Sequence, residues 1–319
     1  MKKLLFIVFL LTHSYIYAVS LEKMISSMIV VGFTGTKEGD KWVEQIKRDI
    51  KRGRILGVYI SKNNIKNLKS LQKLTTYLKN ASKQKILIIT TPFNFKEFDR
   101  DFNKITLKDI ESKREAFYSM ISKAGINSIF WPNLDLKTGK SYSSYEDILL
   151  SYIDLELSLI KKSGLLPVFG HFPGKKVKDN NWEYRELKPF YTLIKEKRCD
   201  AIIIDDKINP KIDDKNRAVF SYLTIERLLR EKMGFKGVVF SSDLKSKELE
   251  KEYSLRERVI KSINSGVNIL FFSGYFINSS NVPKEVKKIV LKAVKNGDID
   301  RQKIEDSYKK ILKIRGLIK

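Results

Sequence analysis

The chain has 319 residues, 42% of them hydrophobic and 31% charged, and its 62 Lys and Arg against 37 Asp and Glu give a net charge of +25. A single cysteine, Cys199, excludes an intrachain disulfide framework, so stability has to come from a hydrophobic core. With no Gly-rich phosphate loop, no Cys pair and only two histidines, nucleotide-loop and structural zinc chemistry are unsupported, and no cofactor or metal is expected.

Residues 1–18 open Met1-Lys2-Lys3, run apolar from Leu4 to Leu11 and end Ile16-Tyr17-Ala18, the pattern of a Sec signal peptide. The competing readings are an apolar first helix or a retained anchor; the run is shorter than the ~20 residues that span a bilayer. Export without a transmembrane span is expected, and the charge falls to +23 when Lys2 and Lys3 leave. That excess suits an anionic neighbour such as a cell-wall polymer, an acidic membrane surface or an acidic envelope protein. Export argues against nucleic acid. Compositional drift of a Lys-, Ile- and Asn-rich sequence is the other explanation of the charge.

Short apolar runs then recur along the chain: Val30 to Phe33, Ile55 to Ile60, Ile86 to Thr90, Ser128 to Trp131, Leu165 to Phe169, Ala201 to Ile204, Gly237 to Phe240 and Asn268 to Phe272. They are unbroken rather than alternating, as a parallel sheet buried on both faces requires. Between them, sets such as Leu68, Leu71, Leu74, Leu78 and Leu223, Leu228, Leu229 have helical spacing. The predicted fold is therefore α/β, a (β/α)8 TIM-type barrel over residues 19–282, with a doubly wound sheet as the alternative. Residues 283–319, with Ile289, Leu291, Val294, Ile304, Ile311 and Ile314, read as a helical extension packed on the barrel. In such barrels functional groups sit where strands end. Those ends are Thr90-Thr91-Pro92, Pro132 to Asp135, Gly170-His171, Asp205-Asp206, Ser241-Ser242-Asp243 and Ser273-Gly274.

Gly170-His-Phe-Pro-Gly174 and Phe235-Lys-Gly-Val-Val-Phe-Ser-Ser-Asp-Leu244 resemble the signature stretches of family 3 glycoside hydrolases, in particular the bacterial β-N-acetylglucosaminidases. Met24 to Phe33, Gly57 to Ile60, Ala124 to Leu136, Asp200 to Phe240 and Ser265 to Leu270 are similar to further family segments in the same order. The resemblance implies a retaining glycosidase, whose aspartate nucleophile forms a glycosyl intermediate while a second group protonates the leaving oxygen. Ser242 stands at the nucleophile's place. The family's donor is a histidine–aspartate dyad on the loop after His-Phe-Pro-Gly, and the corresponding loop, Lys175 to Leu187, is shorter and lacks histidine.

The family's sugar-binding set is also changed. Gly170 replaces its lysine, Thr91 to Phe95 replaces an acidic Gly-rich segment, and Lys140 replaces its arginine ahead of Ser141-Tyr142. His171 matches the sugar-contacting histidine, Asp206 falls where the family has a pocket histidine, and Asp243 matches the residue after the nucleophile. One residue along a strand end turns a side chain to the other face, so Asp243 is a poor nucleophile. The expected site is non-catalytic, with Lys140, Tyr142, His171, Asp206 and Asp243 as candidate ligand contacts. The Asp205-Asp206 and Asp213-Asp214 pairs otherwise read as solvated or salt-bridged. Trp131, Trp182 and Tyr184 read as packing residues in preference to sugar platforms. The function expected is a catalytically inactive binding or scaffold module at the envelope, bound to peptidoglycan amino sugar or an envelope protein. The alternative is an active β-N-acetylhexosaminidase-type enzyme on peptidoglycan fragments, rewired onto Asp179, Glu183 or Glu186.

Overall fold

The computed structural model describes residues 19–98, 107–135, 146–174, 183–277 and 280–318. The expected leader, Lys140, Tyr142 and most of the loop after Gly174 lie outside them. Nine parallel strands are β1 (Ile29–Gly32), β2 (Gly57–Tyr59), β3 (Leu87–Thr90), β4 (Ser128–Ile129), β5 (Leu166–Pro167), β6 (Phe169–Phe172), β7 (Ala201–Ile204), β8 (Val238–Phe240) and β9 (Leu270–Phe272). β5 and β6 are successive pieces of one stave, separated by Val168, so the strands form the eight staves expected.

Closure decides between the two predicted architectures. β9 pairs with β1 through Ile29↔Leu270, and β1 to β5 follow in order. β6, β7 and β8 pair in turn. Parallel bridges Asn133↔Gly170 and Phe240↔Ile269 join the two groups at both seams. A doubly wound sheet keeps two free edges; here the last stave returns to the first, giving a barrel. The close approach of staves needs glycine at particular points. A Cβ on Gly57 would lie 2.0 Å from the Leu87 carbonyl oxygen, and one on Gly237 would lie 2.3 Å from that of Asp200.

Helices cover the outside. The predicted Leu68 set forms the helix Leu68–Lys79, which buries Leu71, Leu74 and Leu78. Asn67 caps it by accepting from the Ser70 amide. The Leu223 set differs from expectation: Leu223–Lys232 is wound as a π-helix. Its wider turn shifts the buried face to Thr224, Ile225 and Leu229, leaving Leu223 exposed. The last two helices, Val282–Lys295 and Arg301–Leu317, pack on Leu21–Ser26, and their buried residues join the barrel core. In the first, Val286, Val290 and Ala293 are buried rather than the predicted Ile289, Leu291 and Val294, which are only partly covered. No described helix is long and apolar enough to cross a membrane.

A buried polar network ties the outer helices Leu107–Lys123 and Glu146–Lys162. The fully buried Glu156 carboxylate accepts from Arg114 Nε at 3.0 Å and from the hydroxyls of Tyr118 and Tyr152. Burial pushes the Tyr118 hydroxyl well above its ordinary range, and the Glu156 charge adds to this. The Arg114 guanidinium also lies 3.7 Å from the Phe98 ring centre, and Phe98 packs edge-on to Trp131. The network thereby props the segment that follows β3 at the barrel mouth.

Candidate functional site

The mouth is floored by four rings from four staves. Tyr59 of β2 and Phe130 just after β4 lie 5.2 Å from Phe271 of β9, and Phe130 meets Phe240 of β8 at 5.7 Å. The pairs are edge-on or tilted, each worth about 0.5–1.5 kcal/mol beyond simple burial. Ser242 follows two residues beyond Phe240, past the end of β8 at the same end of the barrel. It is 8% exposed, and its Oγ has no hydrogen-bond partner among the described residues.

Asp243 takes part in the loop itself. Its Oδ1 accepts the amide N–H groups of Lys245 at 3.0 Å and Ser273 at 2.8 Å, linking the ends of β8 and β9. Its charge still reaches the mouth: burial pushes the Tyr59 hydroxyl above its ordinary range, Asp243 adds to this, and a hydrogen bond from Asn94 partly opposes it. Asn94 Nδ2 lies 3.1 Å from Tyr59 Oη and also donates to the Ile60 carbonyl at 2.9 Å. The turn that replaces the family's acidic segment is thus tied to backbone.

His171 is half-buried on β6, with cis peptides before it and before Pro173. Gly170, at the family lysine's place, has little space for a side chain: an added Cβ would lie 2.5 Å from Ile203 Cγ2 on the neighbouring stave. Asp206 is half-buried beyond β7, 3.5 Å from Lys207 Nζ, and its carbonyl accepts from Arg217 at 2.8 Å. β6, β7 and β8 are adjacent, so His171, Asp206, Ser242 and Asp243 share one end of three neighbouring staves. Lys140 and Tyr142 lie outside the described residues.

The solvated or salt-bridged reading fails for Asp213, and Asp205 is buried rather than solvated. Asp205 is buried and accepts the Asp206 amide at 2.8 Å. Asp213 is buried and accepts from Ser221 Oγ at 2.7 Å and from the amides of Lys215 and Asn216. Burial raises the Asp213 carboxyl, but these hydrogen bonds more than offset it and leave it below its ordinary range. The hairpin Ile208–Asn209 with Asp213–Arg217 supplies the turn amides, a fold-back that the Asp pair alone did not reveal.

Of the residues offered for rewired chemistry, Glu183 is exposed and paired with Arg185 at 2.8 Å, Glu186 is buried, and Asp179 is outside the described residues. Trp131 is 2% exposed between Phe93 and Phe98, so it packs rather than forming an open platform. Trp182 lies outside the described residues, and Tyr184 is exposed. Tyr59, Phe130 and Phe271 were missed as mouth residues. The run Ile55 to Ile60 already placed Tyr59 near a strand end; the other two looked like ordinary apolar strand residues.

A closed parallel barrel with candidate groups at the C-terminal strand ends is the architecture of a (β/α)8 barrel protein whose functional face lies at those ends. Residues 103–314 match the Glycosyl hydrolase family 3 N terminal domain, and the chain belongs to that family. A beta-hexosaminidase of Tolumonas auensis is 30% identical over 165 residues, 46% of this chain and 49% of that one, so the match spans about half the relative. A beta-hexosaminidase of Neisseria meningitidis serogroup C is 25% identical over 254 residues, 67% of this chain and 70% of that one. Among solved structures, a family 3 beta-N-acetylglucosaminidase from Paenibacillus superposes with TM-score 0.78 at 20% identity, covering 94% of this chain and 63% of that one. A beta-N-acetylhexosaminidase from Beutenbergia cavernae gives TM-score 0.78 at 17% identity, covering 93% and 99%. At these identities the superpositions show the shared fold.

Proposed function

We propose that this chain is an exported family 3 barrel that no longer performs retaining glycoside hydrolysis and serves as a binding or scaffold module at the cell envelope. Its ligand would be a peptidoglycan amino sugar or an acidic envelope protein. The observation that carries this reading is Ser242: a buried neutral hydroxyl, just past the end of β8, stands where the family has its nucleophilic carboxylate. The adjacent Asp243 supports it, because one of its oxygens already holds two loop amides. The Gly170–Ile203 packing supports it too, since it fills space that a lysine side chain at 170 would need. A hydroxyl nucleophile would need a base, and a glycosyl intermediate needs a good carboxylate leaving group at the second step. The aromatic floor is suited to an apolar sugar face or a peptide side chain.

The test is turnover by the purified full chain of a chromogenic N-acetylglucosaminide and of muropeptides. No release above buffer is expected. Turnover abolished by Asp243→Asn or Glu183→Gln would establish the rival reading, an active hexosaminidase on rewired carboxylates. Pull-down from envelope extracts across a salt titration addresses the scaffold role; a partner set identical to that of an unrelated basic protein counts against it.

A further inference from the structure

At the end of the barrel opposite the mouth, a cavity of about 220 Å³ opens between the first helix, the end of Lys41–Lys51, the loop before β3 and the final helix. Five cationic side chains line it: Lys23, Lys51, Arg52, Lys83 and Arg315. Among the described residues, no carboxylate does. None of the five forms an ion pair among the described residues. The nearest acids in sequence are engaged elsewhere, Glu22 with Lys287 at 2.9 Å and Asp49 with Arg54 at 3.2 Å.

Two of these cations, Lys23 and Arg315, are half-buried and line the same cavity. Lys23 Nζ sits against the bare Cα of Gly53, where an added Cβ would lie 2.4 Å from it. Arg315 donates from one terminal nitrogen to Gln84 Oε1 at 3.2 Å, while its buried Nε has no acceptor among the described residues. Burial lowers the Lys23 ammonium, and the Arg315 charge lowers it further; burial also lowers Arg315. Half-buried like charges that share one cavity, with a buried donor left over, are stabilised by an anion bound among them.

We propose that this basal cavity is a binding site for a phosphate group, with Lys23 and Arg315 as its inner ligands and Lys51, Arg52 and Lys83 at its rim. A phosphate brings close to two negative charges and several acceptor oxygens, enough to engage Arg315 Nε and the Lys23 ammonium together. A single carboxylate satisfies fewer of these donors. The site is separate from the mouth, where barrels of this type carry their chemistry. The phosphate comes either from a soluble ion or ester, or from a lipid headgroup.

The experiment measures thermal stability of the full chain in inorganic phosphate against chloride at matched ionic strength. Co-sedimentation with phosphatidylcholine vesicles, with and without phosphatidic acid, forms the second arm. The first arm should show a saturable, phosphate-dependent rise in Tm, because a ligand that binds the folded state stabilises it. Lys23→Gln and Arg315→Gln should each weaken the apparent affinity roughly tenfold or more, as expected for losing a hydrogen bond to a charged group. Lys247→Gln, on a helix remote from the cavity, should leave it unchanged. Without phosphate, Lys23→Gln should melt no lower than the parent, since it removes a repulsion; this keeps the test readable if Arg315→Gln folds poorly. Response to phosphate alone assigns a soluble ligand, and vesicle binding lost in both variants assigns a headgroup. No saturable phosphate effect over chloride, or an equal effect in Lys23→Gln, overturns the proposal.

Discussion

The two ends of the barrel treat charged groups differently. At the mouth they are taken up by protein partners: Asp243 holds the amides of Lys245 and Ser273, and the Asp206 carboxylate lies 3.5 Å from Lys207 Nζ. Beside Asp243, the neutral Ser242 has no partner for its Oγ among the described residues. At the base Arg230 is fully used, while Lys23 and Arg315 line one cavity and form no ion pair among the described residues. The difference teaches that belonging to a hydrolase family and having a strongly basic composition point to different faces. The family signature marks the mouth, whereas the excess charge finds a defined cavity at the other end.

The largest expected effect breaks the base. Arg230 donates to the carbonyls of Gly237 and Gly266 and to Asn268 Oδ1 at 2.7 Å, and pairs with Glu226 at 3.2 Å. Arg230→Ala removes three part-buried hydrogen bonds and the Glu226 pair, with Asn268 Oδ1 keeping only the Val239 amide, and should cost about 3 kcal/mol in a denaturant titration. A loss under about 1 kcal/mol would mean that water replaces the guanidinium and that the base is less rigid than its contacts indicate.

A smaller effect tests whether the mouth has been repacked. Gly170→Ala should cost about 2 kcal/mol, because the new methyl meets Ile203 Cγ2. Removing that methyl with Ile203→Ala is itself destabilising, but the double variant should be more stable than the sum of the singles by about 1 kcal/mol. Strict additivity would show that the site at 170 is open, and would weaken the view that the lysine position has been filled. The smallest effect is Ser242→Ala. A buried hydroxyl with no partner contributes little, so stability should stay within about 1 kcal/mol of the parent or rise. A clear loss would reveal a hydrogen bond that the described residues do not contain.

Much of the framework was legible because burial on both faces writes itself directly into a strand. The eight apolar runs coincide with the eight staves, and the Leu68 helix buries Leu71, Leu74 and Leu78 of the four leucines its spacing selected, with Leu68 partly covered. Where burial is one-sided or depends on winding, sequence spacing misled: Leu223 is exposed on a π-helix, and the Val282–Lys295 helix turns Val286, Val290 and Ala293 inward. Of the candidate site residues, His171, Asp206, Ser242 and Asp243 were readable from strand ends. The use of Asp213 as a hydrogen-bond hub was not, because it depends on a hairpin amide and on Ser221 eight residues away.

The sequence by itself determined the order of staves, the family to which the barrel belongs and the replacement of a carboxylate by Ser242. These are local properties: apolar runs, short motifs and the identity of a single side chain. Only the tertiary structure decided that the sheet closes, that Ile203 occupies the space beside Gly170, and that Tyr59, Phe130, Phe240 and Phe271 form one floor. It also brought Lys23 and Arg315 to one cavity. Neither residue has a signal in its own neighbourhood, since the first and last helices meet only in the tertiary fold, and it is the shared cavity that turns two ordinary cations into a site.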